Sequence, residues 1–218
     1  MKTHDDKMSA FEEAGVYLVT SESLSAGRST LEIVKTALEA GIKLVQLREK
    51  DCSARKLVRM GEKVRNLTRQ FGALLIINDR VDVALAVEAD GVHLGQDDFP
   101  VEKARVMGPD LIIGASTHSL KEALEAEKKG ASYVNIGPVY PTGTKSWTGD
   151  YLGIEGLKNI APALNIPFTV MGGIKAGNLD ALKKAGANVF AVVTAITAAD
   201  DPASATKDLL KKARGETQ

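Results

Sequence analysis

The sequence predicts an α/β fold, a single (β/α)8 TIM barrel, and two patterns support this prediction. Apolar runs of strand length recur eight times along the 218 residues, and the segments between most of them have helical periodicity. Such alternation is typical of βα units repeated around a parallel sheet. One barrel of this kind uses about this much sequence, so we expect residues 1–218 to form one domain, with polar tails at about 1–12 and 214–218.

The expected strands cover residues 16–20, 44–48, 74–78, 91–94, 111–116, 133–137, 168–171 and 189–194. Amphipathic segments at 31–40, 54–71, 81–87, 101–107, 120–129 and 179–185 are expected to be helices. Gly41, Gly130 and Gly186 each stand just before an apolar run, where glycine suits a helix end that leads into a strand.

An open, doubly wound sheet is the alternative architecture. It normally has fewer strands and a glycine-rich phosphate turn after the first one. The residues after the first predicted strand, Ser21-Glu22-Ser23-Leu24, contain no such turn. The eight units also follow one another without a linker, which favours the closed barrel.

The composition restricts the class of partner. Lys plus Arg and Asp plus Glu both number 28, so the sequence predicts neither a nucleic-acid nor a membrane partner. A small phosphorylated ligand needs only local donors and stays compatible. The lone Cys52 cannot form an internal disulfide, and we see neither a leader pattern nor an apolar run of about 20 residues. We therefore expect a cytoplasmic protein that acts on small molecules, with a homo-oligomer compatible with the sequence.

Polar residues concentrate at the carboxyl ends of the predicted strands, the face on which α/β barrels build active sites. They are Gln46, Arg48, Lys50, Asn78, Asp79, Gln96 to Asp98, Ser116 to His118 and Thr142 to Lys145. His93, inside an apolar run, is expected to be a hydrogen-bonded core residue.

The positive charges of Arg48 and Lys50 need a negatively charged partner if the two side chains are buried. Gln46, Arg48 and Lys50 are spaced by two, so an extended strand would direct all three towards the barrel mouth. An anionic ligand would compensate the cations. The alternative is internal pairing with Asp79 or Glu49.

Two carboxylates follow separate strands. Asp79 and Asp98 would supply the hard oxygen ligands that Mg²⁺ prefers, with further ligands from water and substrate phosphates. The alternative is that both are helix N-caps. Because Asp97 is adjacent, the second ligand is ambiguous by one position.

The last two units carry a predicted phosphate site. Gly172-Gly173 follows the seventh strand and Val193-Thr194 ends the eighth, where many barrels bind phosphate through backbone N–H groups. A plain turn is the alternative for the glycine pair.

The segment 138–149 is long for a βα connection, which suggests a ligand-covering loop. Thr142, Thr144 and Lys145 in it can donate to phosphate oxygens. Trp147, in the same loop, is interpreted as packing on the rim, with substrate stacking as the alternative.

In seven ordered segments the chain resembles the thiamine phosphate synthase family, from Gly15 to about Pro202. These segments are Gln46 to Lys50, Ile77 to Arg80, Asp90 to Gln96, Ser116 to His118, Gly137 to Lys145, Gly172 to Ile174 and Val193 to Ile196. The chain departs from the family pattern at Ala115, Gly143, Met171 and Thr194.

The resemblance implies a transferase that joins a pyrimidine diphosphate to a thiazole phosphate and releases pyrophosphate by a dissociative mechanism. The implied pyrimidine diphosphate site comprises Gln46, Leu47, Arg48, Glu49, Lys50, Asn78, Ser116 and Lys145. Among these, Arg48, Lys50, Ser116 and Lys145 are the implied catalytic residues. Asp79 and Asp98 would hold Mg²⁺, and the thiazole phosphate would contact Thr142, Thr144, Gly173, Val193 and Thr194.

Two other functions fit the same fold. A thiazole tautomerase would bind the thiazole phosphate alone and would have little use for Arg48, Lys50, Asp79, Asp98 and Lys145. A non-catalytic binder or regulator would recognise a phosphorylated ligand without turnover.

Overall fold

The computed structural model describes residues 3–50, 52–144 and 148–216, and it confirms the closed eight-stranded barrel. Each strand pairs in parallel with the next one along the chain, and the eighth pairs with the first. The strands are β1 (Val16–Val19), β2 (Leu44–Leu47), β3 (Leu74–Asn78), β4 (Gly91–Leu94), β5 (Ile112–Thr117), β6 (Tyr133–Ile136), β7 (Phe168–Val170) and β8 (Val189–Val192).

Helices surround this ring, and those expected from the sequence are confirmed to within one residue at either end. The helices are α1 (His4–Glu12), α2 (Thr30–Glu39), α3 (Ala54–Gln70), α4 (Val81–Ala86), α5 (Val101–Met107), α6 (Leu120–Lys128), α7 (Gly153–Ile160), α8 (Leu179–Lys184), α9 (Thr194–Thr197) and α10 (Pro202–Arg214). We did not predict α1, α7, α9 or α10 from the sequence. Gly41, Gly130 and Gly186 all have positive φ, as expected of glycines that end helices.

The expected polar tail at residues 1–12 is wrong for residues 4–12, which form α1. Thr3 and Asp6 make a reciprocal capping box at its start. Phe11 is fully buried, with its ring centroid 4.4 Å from that of Tyr133 and 6.0 Å from that of Tyr17. Burial of this one aromatic ring stabilises a helix whose other residues are mostly polar, and α1 thereby covers the amino-terminal end of the barrel.

Side chains of each strand alternate between two cores. Leu18, Val45 and Ile77 belong to the core between strands and helices, whereas Tyr17, Leu44 and Ile76 belong to the barrel interior. Successive strand residues point to opposite faces, so the first set faces the helices. The described residues contain no helix that is both long and apolar enough to cross a bilayer.

Gly114 of β5 makes room for large groups in the interior. A Cβ atom at this position would overlap the Tyr133 ring and lie within 2.5 Å of His93 Nδ1. Because both neighbours are buried and held by other contacts, they cannot move aside cheaply.

We predict that Gly114→Ala lowers the free energy of unfolding by about 3 kcal/mol, the upper part of the usual range for overpacking. Chemical denaturation in the absence of any ligand measures this change. Gly177→Ala is the matched control, since a Cβ there meets no atom within 4 Å. Equal stability of the two variants would contradict the packing argument.

Candidate active site

A cavity at the carboxyl end of the barrel brings together predicted residues from five βα units. Those that line it are Arg48, Ser116, Thr142, Thr144, Gly173, Val193 and Thr194. A neighbouring cleft shares Arg48 and Thr144 with this cavity and adds Glu49 and Lys50. Lys145 and Trp147 lie outside the described residues, so their predicted roles stay predictions.

Arg48 presents to the cavity a cation that has no partner in the part of the chain that the structure describes. It directly follows β2, is half-buried, and its guanidinium makes no hydrogen bond or ion pair with the described residues. Internal pairing, the alternative raised for this residue, is therefore not found within that part of the chain. A partly desolvated guanidinium without a carboxylate partner favours an anionic ligand.

Lys50, in contrast, has an internal partner. Its Nζ lies 2.6 Å from Oδ2 of Asp79. The lysine side chain is about half exposed, at 49%, so this ion pair is a surface contact that a stronger anion can displace.

Glu49 is engaged away from the cations. Its carboxylate accepts from the hydroxyls of Thr20 (2.8 Å) and Thr30 (2.7 Å) and from the N–H of Glu22 (2.9 Å). These contacts tie the end of β2 to the segment between β1 and α2. In the structure Glu49 therefore organises the rim next to Arg48, and its predicted substrate contact stays a prediction.

Leu47 and Gln46 point to opposite faces of β2. Leu47 is fully buried in the core against the helices, which leaves only its backbone to face a ligand. Gln46 points inwards and donates from Nε2 to the Tyr17 hydroxyl at 2.7 Å. Asn78, at the end of β3, is half-buried and stands in register with His93.

Asp79 and Asp98 form an acidic pair above β3 and β4. Burial and a hydrogen bond to Asp79 raise the pKa of Asp98, although Oδ2 of Asp98 also accepts from Gly95 N–H at 2.7 Å. Asp97 is exposed. The contact with Asp79 therefore favours Asp98 over Asp97 as the second acid.

Neither acid is a helix cap, which was the alternative. The N-cap positions of α4 and α5 are Arg80 and Pro100. Asp79 itself has φ of 63°, a left-handed conformation that costs energy in a residue other than glycine. The backbone of Asp79 bears this cost at the end of β3, where its carboxylate contacts Lys50 and Asp98.

The predicted phosphate site is formed by loops after β6, β7 and β8. Gly172 and Gly173 have φ of 98° and 63°, and a Cβ on Gly173 would lie 2.6 Å from the carbonyl oxygen of Pro141. Glycine is thus required for the close approach of two loops. Hydrogen bonds within α9 begin at the N–H of Ile196, which leaves the Thr194 and Ala195 N–H groups before them.

A continuous set of buried hydrogen bonds lies beneath the cavity. From the Gln46–Tyr17 bond it continues through Tyr17 OH to Tyr133 OH (3.0 Å), Tyr133 OH to His93 Nδ1 (2.8 Å) and His93 Nε2 to Ser116 Oγ (2.9 Å). His93 is thus a hydrogen-bonded core residue, as expected. Burial lowers the pKa of His93 to about 4, with Asp98 acting in the opposite direction, and it raises those of both tyrosines.

Sequence reasoning gave no role to several cavity residues, four of which carry polar or sulfur groups. Asn135, Met171 and Lys175 line the cavity, as does His118, whose Nδ1 is 2.9 Å from Oε2 of Glu122. The signal for Asn135 is a polar residue at an inward position between Val134 and Ile136. Lys175 follows the Gly-Gly-Ile turn directly.

Burial of neutral His93 predicts a loss of stability in mild acid. The unfolded chain takes up this proton near pH 6.5, whereas the folded chain does so only near pH 4. Below pH 6.5 the free energy of unfolding should therefore fall by about 1.4 kcal/mol per pH unit from this residue. Denaturation from pH 7 to 4 measures the slope. His93→Asn should lack this component, and an unchanged slope would contradict neutral burial.

Comparison with known proteins agrees with this geometry. The family model described as thiamine monophosphate synthase matches residues 16–196. The chain is 51% identical over 196 residues to a thiamine-phosphate synthase of Haloquadratum walsbyi, with 88% of each chain covered. It is 49% identical over 198 residues to that of Haloarcula marismortui, with 89% of this chain and 94% of the relative covered.

A solved structure gives the same result. The thiamine phosphate pyrophosphorylase from Pyrococcus furiosus superposes with a TM-score of 0.87 at 41% identity, covering 95% of this chain and 98% of that one. With matches over most of the chain in sequence and in fold, this chain belongs to the thiamine monophosphate synthase family.

Proposed function

We propose that this chain is a thiamine-phosphate synthase, a transferase of a pyrimidinylmethyl group. It would condense 4-amino-2-methyl-5-(diphosphooxymethyl)pyrimidine with 4-methyl-5-(2-phosphoethyl)thiazole, or its carboxylated form, to thiamine phosphate and pyrophosphate. The observation that carries the proposal is the guanidinium of Arg48, which has no partner among the described residues, in a cavity that also reaches the glycine loop after β7. Two anion sites at these two places would suit two phosphorylated substrates.

The diphosphate would lie on the β2–β3 side of the rim. Arg48 would offer its planar donor fork to the diphosphate oxygens, and Lys50 would add a second cation. Ser116 would contribute its hydroxyl from β5, while Gln46, Asn78 and Lys145 complete the proposed set. An organised rim next to Arg48, held by the contacts of Glu49, supports this assignment because it limits the motion of the cation.

The acidic pair fits Mg²⁺. Two hard carboxylate oxygens from Asp79 and Asp98 are what this ion takes from proteins when substrate phosphates and water supply its other ligands. Burial and, after it, the neighbouring Asp79 raise the pKa of Asp98, and a divalent cation bound between the two carboxylates would offset their repulsion. Within the described chain no group of three or more His, Cys, Asp or Glu side chains that could hold a metal ion occurs, so the proposed site would need further ligands from substrate and water. When bound, the ion would neutralise charge on the departing diphosphate.

The thiazole phosphate would lie on the β6–β8 side. Backbone N–H groups of Gly173, Val193 and Thr194 and the hydroxyls of Thr142 and Thr144 are the proposed donors. The hydroxyl of Thr142 lies 3.3 Å from that of Thr144, so the two can face one phosphate together. Thr194 offers the same backbone donors as the serine that is usual in the family.

The chemistry needs charge stabilisation more than a base. The C–O bond to the diphosphate breaks first, and pyrophosphate leaves with the bonding electron pair. The thiazole nitrogen then donates its lone pair to the pyrimidine-methyl cation to form the C–N bond. Since that nitrogen carries no proton, the site requires cations, positioning and exclusion of water.

Two competing functions remain as outcomes of the test. A thiazole tautomerase would not require the cationic and acidic groups that the rim retains. A non-catalytic binder would bind ligands without releasing pyrophosphate. We also propose a cytoplasmic protein with small-molecule partners and no nucleic-acid partner, and a homo-oligomer stays compatible with the chain.

The proposal predicts release of pyrophosphate when both substrates and Mg²⁺ are present. A coupled assay for inorganic phosphate after pyrophosphatase treatment measures it. Omission of either substrate should abolish the signal. If the complete mixture produces no pyrophosphate at any protein concentration, only the two competing functions survive.

Asp79→Asn should lower kcat by at least about 100-fold, the scale of losses around metal ligands, and should raise the Mg²⁺ concentration for half-maximal rate. Mg²⁺ titration of the rate separates these effects. Asp208→Asn, an exposed acid on α10, is the matched control and should behave like the parent protein. Unchanged Mg²⁺ dependence in Asp79→Asn would remove this residue from the metal site.

Arg48→Lys should lower kcat/KM by about tenfold, because the ammonium cannot make the bidentate contact of the guanidinium. Steady-state kinetics with varied pyrimidine diphosphate measure the loss. Arg59→Lys, on the exposed face of α3, makes the same chemical change outside the site. Parent-like kinetics for both variants would refute a diphosphate role for Arg48.

A further inference from the structure

The buried hydrogen bonds beneath the cavity form one unbranched chain across the barrel, from β2 to β5. In order, its members are Gln46, Tyr17, Tyr133, His93 and Ser116, joined by four contacts of 2.7 to 3.0 Å. Four members are nearly inaccessible, and Ser116 alone both belongs to the chain and lines the cavity. The chain therefore reaches the cavity surface at Ser116, whereas its other end, Gln46, is buried.

Counting protons gives the chain a direction. The amide of Gln46 donates to Tyr17, whose hydroxyl has one further hydrogen-bond partner among the described residues, Tyr133. Since a buried hydroxyl proton without an acceptor is costly, the proton of Tyr17 goes to Tyr133. Tyr133 accepts that proton and has its own left for His93 Nδ1. An imidazole nitrogen that accepts carries no proton, so the ring proton of neutral His93 stands on Nε2 and points at Ser116.

We infer that Tyr133 is a positioning residue, which sets the Nε2–H tautomer of His93 and thereby turns the Ser116 hydroxyl proton towards the cavity. In this arrangement Ser116 Oγ accepts from His93, and its own proton is available for a ligand. The identity of that ligand rests on the proposed function, whereas the tautomer and its cause do not.

The direction of the chain suits an anion. A serine that accepts from histidine offers a donor to a diphosphate oxygen. In the reversed chain, Ser116 would donate to His93 and would turn only lone pairs towards the ligand. Such a serine would repel phosphate oxygens, so the buried tyrosines contribute to ligand choice without touching the ligand.

His93 is neutral near pH 7, so one of its ring nitrogens carries a proton and the other does not. Its ring is buried, and its pKa of about 4 leaves it uncharged between pH 6 and 8. The charged groups that act on it are Asp98 and Lys50, which oppose each other.

The test is the protonation pattern of the His93 ring, read by ¹⁵N-detected long-range NMR correlations in the full chain without ligands at pH 7. The chain has three histidines, and the spectrum of His93→Asn identifies the signal of His93. We expect protonated Nε2 and unprotonated Nδ1 in the parent protein.

Two variants that each remove one buried hydroxyl provide the comparison. In Tyr17→Phe, the Tyr133 hydroxyl can still donate to Nδ1, so the Nε2–H tautomer should persist. In Tyr133→Phe, Nδ1 loses its donor, and both tautomers should be populated. A structural role alone would treat these two losses alike. An Nδ1–H tautomer in the parent, or an unaltered tautomer in Tyr133→Phe, would overturn the inference.

Ser116→Ala covers the case in which Tyr133→Phe does not fold. Because Tyr133 is still present, the Nε2–H tautomer should persist in this variant, and its loss would show that Ser116 sets the tautomer instead. These spectra require no turnover, so the inference can fail or hold independently of the proposed function.

A double-mutant cycle links the tautomer to ligand chemistry. If Tyr133 acts through Ser116, Tyr133→Phe should lower kcat/KM by about tenfold in the parent protein and have little further effect in Ser116→Ala. Additive losses in the double variant would contradict action through Ser116.

Discussion

Closure of eight parallel strands into one ring is the constraint on which the rest of the structure depends. All carboxyl ends meet at a single rim, so Arg48 after β2 and Thr194 after β8 line the same cavity although 146 positions separate their numbers. The amino-terminal end of the barrel is closed by a helix, and the described residues there line no part of this cavity. There α1 places Phe11 against two tyrosine rings and closes the interior.

Three features at the carboxyl end of the barrel are energetically unfavourable when no ligand is bound. The guanidinium of Arg48 has no partner within the described chain, Asp79 adopts a left-handed backbone conformation, and Asp98 has a raised pKa beside it. Each of these costs stability in the absence of ligand. Neither acid lines the cavity itself, but Asp79 pairs with Lys50, which lines the cleft beside Arg48. Cations and acids on neighbouring strand ends are the physical argument for a diphosphate with a divalent cation.

The barrel interior is also more polar than a purely structural core requires. Tyr17, Tyr133 and His93 are buried there, and their hydrogen bonds lead from a buried amide to the cavity floor. Gly114 provides the space that this arrangement needs. The packed residues beneath the cavity thus fill space and, by the inferred direction of hydrogen-bond donation, also orient the Ser116 hydroxyl.

By itself the sequence determined the barrel, because strand-length apolar runs and helical periods are local patterns that survive without knowledge of contacts. It also identified several of the residues that line the cavity, since strand ends are visible in the chain and must converge once the ring closes. Helix α1 was not predicted because its stability comes from Phe11, which packs on strands distant in the sequence. The choice of Asp98 over Asp97, the loss of Gln46 Nε2 to Tyr17 and the role of Asn135 in the cavity were likewise decided only by tertiary structure. Each depends on which atoms meet across the barrel, and no local pattern encodes those distances.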